Sequence, residues 1–160
     1  MYNEVNESGR KWEMKFFGTY YHNLDAKGRL VVPARFRETL KELKKLYILQ
    51  GFEGSLSVYP EDAYQKELDY LQNLNYKDAN TRSYVRTMYA SIEELEVDNA
   101  GRITLSVRIL KKYQIGSAVT VIGVGDHLEI WDTNAYEEYE ANALLNLEKV
   151  ANTLEGERHG

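Results

Sequence analysis

The chain runs through the same succession of hydrophobic patterns twice. In each copy a short apolar run follows a Gly-Arg pair and predicts a strand, at 29–32 and at 102–105. A helical period comes next. Phe36, Leu40 and Leu43 share one face behind Pro33, which is expected at the first helical position. Ile109, Leu110 and Tyr113 follow Ser106, a residue suited to an N-cap, and Gly116 is expected to end that helix. Two β-runs then predict a hairpin, 46–50 with 55–59 in the first copy and 118–123 with 128–131 in the second. Each hairpin leads into a helix, from Pro60-Glu61-Asp62 and from Asp132-Thr133. Residues 63–94 also read as helical. Tyr64, Leu68 and Leu71, then Val85, Met88, Tyr89 and Ile92, have helical spacing, with a break at Tyr76-Lys77-Asp78.

The copies align residue by residue. Leu24-Asp25-Ala26-Lys27-Gly28-Arg29-Leu30 lies over Val97-Asp98-Asn99-Ala100-Gly101-Arg102-Ile103, an offset of 73 that Arg35 and Arg108 keep. Gly51 to Tyr59 falls over Gly123 to Trp131 at an offset of 72, so one residue is lost in a connecting segment. A strand is expected to lead into each Asp-x-x-Gly turn. Neither copy has enough strands to bury its sheet alone, so the halves are expected to close into one barrel-like core.

Composition narrows the class. A chain of 160 residues suits one compact domain or two fused halves, and 43% hydrophobic with 28% charged residues fits a soluble globular protein. No stretch reaches eighteen apolar residues, so no membrane span is expected, and residues 1–13 lack the apolar core of a secretion signal. There is no cysteine, which excludes disulfides and thiolate metal sites and fits a cytoplasmic protein. Thirteen tyrosines against four phenylalanines favour amphipathic surfaces at strand faces and subunit contacts.

The net charge of −5 argues mildly against nucleic acid, but its distribution argues back. Residues 22–45 hold seven Lys/Arg and three acids, a net of +4; residues 123–160 hold two basic and nine acidic, a net of −7. A polyanion approaching one face responds to that segregation more than to the total. Charge alone leaves solvated helix faces equally open.

Asp-x-x-Gly has a local physical meaning. The Asp side chain accepts backbone N–H bonds within the turn, and Gly at the fourth position takes φ > 0. The following arginine starts the outgoing strand from a rigid corner. As a presented cation, it would pair bidentately with phosphate or with guanine O6/N7. The alternative is that Asp and Arg pair within the turn and only fix the corner. Lys27 adds a cation to the first loop, whereas the second reads Asn99-Ala100, and the first turn is followed by a basic helix at 34–45. DNA contact is therefore expected of the first turn, with the cations Lys27 and Arg29, and of Arg35 and Arg37 on the basic helix, and a structural role of Asp25, Asp98, Gly101 and Arg102.

Three segments together resemble the MraZ family: Met14-Lys15-Phe16-Phe17-Gly18, His22 through Arg37, and Ile122-Gly123-Val124-Gly125 followed by Glu129-Ile130-Trp131. The resemblance covers roughly residues 14–142. It implies an α+β fold, a tandem-repeat double-split (swapped-hairpin, AbrB-like) β-barrel with added helices. It implies ring-shaped homo-oligomers, a cytoplasmic, nucleoid-associated protein, and a DNA-contacting turn at Lys27, Gly28 and Arg29. It also implies binding to short direct repeats upstream of the division and cell-wall gene cluster, which the family regulates together with its own gene. The division that follows is a dispensable, flexible extension at 1–13, repeats at 14–76 and 77–143, and an acidic tail at 144–160.

Other chemistry is weakly supported. His22, His127 and His159 have no ligand spacing, so no metal and no cofactor is expected. Adjacent carboxylates such as Glu93-Glu94 and Glu137-Glu138 point to different faces, and no nucleophile–base arrangement is visible, so an enzyme is not expected. The rival reading is an AbrB-like antitoxin or oligomeric scaffold. The helical spacing of Tyr136, Tyr139, Ala143, Leu147, Val150 and Leu154 would suit a partner-binding C-terminal segment.

Overall fold

The computed structural model describes residues 16–40 and 45–159. The extension at 1–13, and Lys41, Leu43 and Lys44 of the basic stretch, lie outside them. The first copy comprises β1 (Phe16–Asn23), β2 (Arg29–Val31), α1 (Ala34–Leu40), β3 (Lys45–Gln50), β4 (Leu56–Tyr59) and α2 (Glu61–Gln72). Helix α3 (Ala79–Ser91) leads into β5 (Glu93–Glu96), β6 (Arg102–Thr104), α4 (Val107–Lys112), β7 (Ala118–Gly125), β8 (Leu128–Asp132), α5 (Thr133–Leu145) and α6 (Leu147–His159). No helix among the described residues is long and apolar enough to cross a membrane.

The two halves are built through each other. Six antiparallel strands form one sheet in the order β1-β7-β8-β4-β3-β5, and β2 pairs with β6 in a separate ribbon. Exchanging each strand for its counterpart in the other copy reverses the order and leaves it unchanged, so a pseudo-twofold relates the halves. Registers obey it: Asn23 faces Ala118 as Glu96 faces Lys45. The leading strand of each copy thus pairs with the hairpin of the other, as expected of copies that cannot bury a sheet alone. The ladder is not one closed barrel: β1 and β5 are its edges, and the β2–β6 ribbon closes over the sheet through side chains. Leu30 and Ile103 of the ribbon enter the same buried cluster as Ile48, Val58, Val121 and Ile130 of the sheet. On the opposite face, α2 and α3 cover Tyr47 and Leu49, with Tyr47 stacked on Tyr64 at 3.9 Å.

Several expectations need correction. The helical reading of 63–94 runs too far. Alternation takes over after Ser91, and Leu95 points into the core between exposed Glu94 and Glu96. Lys45 belongs to β3 rather than to the basic helix. The carbonyl of Pro33 accepts from the N–H groups of Phe36 and Arg37, so Pro33 caps α1 from outside instead of opening it. Gln114, at φ 52°, supplies the left-handed stop after α4, ahead of Gly116. The lost residue falls inside the hairpin turn: Tyr47 faces Tyr59 as Thr120 faces Trp131, so offset 73 holds through β3 and 72 begins only at β4. Ser106 does cap α4, accepting from the Ile109 N–H at 3.2 Å.

Close approach explains one glycine in particular. Gly28 has φ +77°, and a Cβ there would lie 2.5 Å from the Leu105 carbonyl oxygen of the other half. Gly54, at φ +88°, faces open space. Gly54→Ala should therefore cost only the left-handed strain, about 1–2 kcal/mol. Gly28→Ala should cost more, about 3 kcal/mol, because the ribbon must also shift. Urea unfolding of both variants checks this, and equal losses would show that the halves do not meet at Gly28.

Candidate nucleic-acid interface

The two Asp-x-x-Gly-Arg corners have the same geometry. Asp25 Oδ1 accepts from the N–H groups of Lys27 and Arg29 at 2.9 Å each, and Gly28 N–H donates to the Asp25 carbonyl at 3.0 Å. Asp98 Oδ1 accepts from Ala100 and Arg102 at 2.9 Å, and Gly101 N–H donates to the Asp98 carbonyl at 2.9 Å. Both glycines sit at φ +77°. Each arginine folds back onto its own Asp: Arg29 Nε donates to Asp25 Oδ2 at 2.5 Å, and Arg102 Nε to Asp98 Oδ2 at 2.8 Å.

That settles the orientation the sequence left open, and it joins two readings treated as alternatives. The pair fixes the corner, yet Nε is one of five guanidinium donors, and the Nη atoms carry the other four. Arg29 and Arg102 keep about a third of their side-chain surface exposed. An arginine held by one edge presents its fork with little freedom left to lose on binding a phosphate or a guanine edge.

Each corner is locked to the other half. Gly28 carbonyl accepts from Leu105 N–H at 2.8 Å, and Gly101 carbonyl accepts from Val32 N–H at 2.9 Å. The corners therefore occupy opposite ends of the β2–β6 ladder, separated along it by roughly 13 Å at 3.3 Å per residue. Beside the first corner runs a groove of ≈ 400 Å³, lined by Leu24, Lys27, Leu105, Val107, Leu110, Ile115 and Gly116.

The cations of α1 do not gather where expected. Arg35 stacks on the exposed Phe17 ring, 4.4 Å from its centroid. Arg37 lies on the second corner: a Cβ built at Gly101 would meet Arg37 Cδ at 2.6 Å and Nη1 at 3.5 Å. Lys45 pairs with Glu94 at 3.5 Å across the sheet. Arg108, the counterpart of Arg35, pairs with Glu93. Lys27 and Arg29 thus share the first corner as expected, while Arg37 joins Arg102 at the second. Strand exchange is what the sequence reading lacked here, since it carries α1 of one copy to the corner of the other.

The structure defines the class: a tandem-repeat α+β protein whose intertwined halves each present an Asp-pinned arginine corner. The family model described as "MraZ protein, putative antitoxin-like" matches twice, at residues 15–87 and 88–157. The chain is 37% identical over 141 residues to a protein of Mesoplasma florum named transcriptional regulator MraZ, covering 88% of this chain and 96% of that one. Proteins of the same name from Syntrophomonas wolfei and Desulforamulus reducens are 35% and 34% identical over 139 residues, each alignment covering 87% of this chain and 96% of the relative. The chain belongs to the MraZ family. Its relatives carry the name of a regulator, not of an enzyme.

The carboxylates of the corners titrate unusually low. Chiefly the backbone N–H of Arg29, helped by its side chain and by the Lys27 N–H, holds the Asp25 carboxyl down at about 2; Asp98 is lowered in the same way by Arg102 and Ala100. A depressed carboxyl stabilises the corner above the unfolded-chain value near 3.9, and that stabilisation fades as pH falls toward 2. Carboxyl NMR titration should give Asp25 a midpoint near 2. Arg29→Ala should raise it only part of the way, because the backbone donors remain; a midpoint already normal in the parent chain would contradict the corner geometry.

Proposed function

We propose that this chain is a DNA-binding transcriptional regulator that contacts DNA through the first corner, with Lys27, Gly28 and Arg29 at its tip, and that Arg35 and Arg37 of α1, Arg37 lying at the second corner, add further contacts. The carrying observation is the Arg29 guanidinium held by Asp25 beside exposed Lys27. The family resemblance supports short direct repeats upstream of the division and cell-wall gene cluster as the target, with control of that cluster and of the protein's own gene. It also supports a double-split, swapped-hairpin barrel as the fold type, which the reciprocal pairing of β1 with β7 and β5 with β3 suits. A cytoplasmic, nucleoid-associated location and the absence of catalysis belong to the same reading.

Arg29→Ala should weaken binding to a duplex from the DNA upstream of its own coding sequence by on the order of tenfold or more per corner, with the fold retained because the backbone bonds of the turn remain. Parent affinity should fall steeply between low and moderate salt, because phosphate contacts release counterions. Fluorescence anisotropy measures both. Undiminished binding by Arg29→Ala, or affinity indifferent to salt, would remove this reading.

One corner contacts too few bases to specify a site against genomic competitors, so several corners must act together. Exposed apolar side chains support an assembly: Phe17 and Tyr21 on edge strand β1, and Leu144, Leu145, Leu147, Val150 and Leu154 along α5 and α6. A closed head-to-tail ring would present every corner in the same sense, which matches direct repeats. Light scattering should give a mass above the dimer at micromolar protein, and affinity should climb with repeat number. A monomer with equal affinity for one repeat and for several would favour the antitoxin or scaffold reading, to which the exposed α6 stripe also lends itself.

A further inference from the structure

We infer that the second corner is also a DNA-reading head, and that Arg37 is the cation that equips it. The inference rests on the DNA-binding reading above and revises the purely structural role expected of Gly101 and Arg102.

The argument starts from a reciprocal exchange of residue types. At offset 73, Lys27 of the first loop corresponds to Ala100, and Arg37 of α1 corresponds to Leu110 of α4. Because the halves are intertwined, α4 packs on the first corner and α1 on the second: Leu110 Cδ1 lies 3.7 Å from a Cβ built at Gly28, and Arg37 spans the equivalent place at Gly101. The first corner therefore combines a cationic loop with an apolar flank, and the second an apolar loop with a cationic flank. Each carries its Asp-pinned arginine and one further cation. The charge that seemed missing from the second corner is delivered in space by the other half.

Two features make Arg37 more than a packing residue. Its Cδ crosses Gly101 and its Nη1 lies at the corner itself, so the guanidinium sits over the turn. The loop beneath it is open, with Asn99 and Ala100 both exposed. The added cation of each head sits in the loop on one side and on the helix flank on the other. The two heads would thus bear on different atoms of a site, and roughly 13 Å of ladder spans about four base-pair rises of 3.4 Å.

The test measures anisotropy of a labelled duplex from the DNA upstream of the coding sequence, as salt is varied, together with urea unfolding. Arg37→Gln keeps most of the stem that packs on Gly101. It should weaken binding by on the order of tenfold and lower the salt slope by about one. Adding Ala100→Lys to it returns a cation to the second corner by the loop route and should restore both quantities. Ala100→Lys alone, at an exposed loop position, should tighten binding, which keeps the test decisive even if Arg37→Gln unfolds. Unchanged affinity and slope in Arg37→Gln, while Arg29→Ala binds weakly, would sink the inference and leave the DNA-binding reading standing. Loss in Arg37→Gln without recovery by Ala100→Lys would also overturn it, since shape rather than charge would then matter. No effect from either Arg29→Ala or Arg37→Gln would remove both.

Discussion

The placement of both corners depends on two reciprocal hydrogen bonds, Leu105 N–H to the Gly28 carbonyl and Val32 N–H to the Gly101 carbonyl. They join the tip of each corner to the strand of the other half. A three-residue strand such as β2 or β6 is too short to be stable by itself, and an isolated two-stranded ribbon is marginal in water. Here the ribbon is held because Leu30 and Ile103 are buried in a core that the six-stranded sheet closes from the other side. A corner can then be held at the surface without a disulfide, with α4 packed on the first and α1 on the second. Rigidity is also why Gly is required at position 28, where even a methyl group would strike the opposing backbone.

The repeat was legible because it is written in residue types with strong local meaning. Asp, Gly and Arg recur at one offset, and a glycine at positive φ followed by a short apolar run has few other uses. Hairpins and helices were legible for the same reason, since alternation of period two and helical spacing are local signals. The strand partners were not local. Nothing in Phe16–Asn23 says that it pairs with Ala118–Gly125 rather than with its own hairpin; that follows only from the failure of either half to bury a sheet alone. The start of β5 was hidden because Ile92 continues the helical spacing of Val85, Met88 and Tyr89 right up to the strand. The site was half legible. Lys27 and Arg29 are neighbours in sequence and in space, while Arg37 reaches the second corner only through the exchange.

Pseudo-symmetry sets what the corners share, and side chains set how they differ. The backbone hydrogen bonds of the two turns agree within about 0.2 Å, so selection of a turn by Asp-x-x-Gly-Arg is complete at the level of the main chain. The remaining variation lies at loop positions 26–27 and 99–100 and at the helix flank. The loop positions are solvent-exposed, and the flank residues Arg37 and Leu110 lie over the corner glycines, Leu110 packing against the core as well. A fused repeat is free to diverge there, which a symmetric dimer of one short chain could not do. Divergence of that kind turns two equivalent corners into two chemically distinguishable ones.

The acidic total charge does not oppose this chemistry, and distance is the reason. Thirteen residues of α5 carry the chain about 20 Å from Asp132, whose carboxylate accepts from Gly116 N–H beside the first corner, before α6 begins. The Debye length at physiological salt is about 8 Å. Glu148, Glu155 and Glu157 lie on exposed α6, beyond the far end of α5, whereas Lys27 and Arg29 are part of the corner itself. Acids closer to the body are engaged locally: Asp126 with Lys66 and His127, and Glu129 with the Trp131 indole N–H. What a polyanion experiences at the corners is the local balance, in which each pinned arginine is already neutralised by its own Asp. The added cation at each corner, Lys27 at the first and Arg37 at the second, then decides the sign.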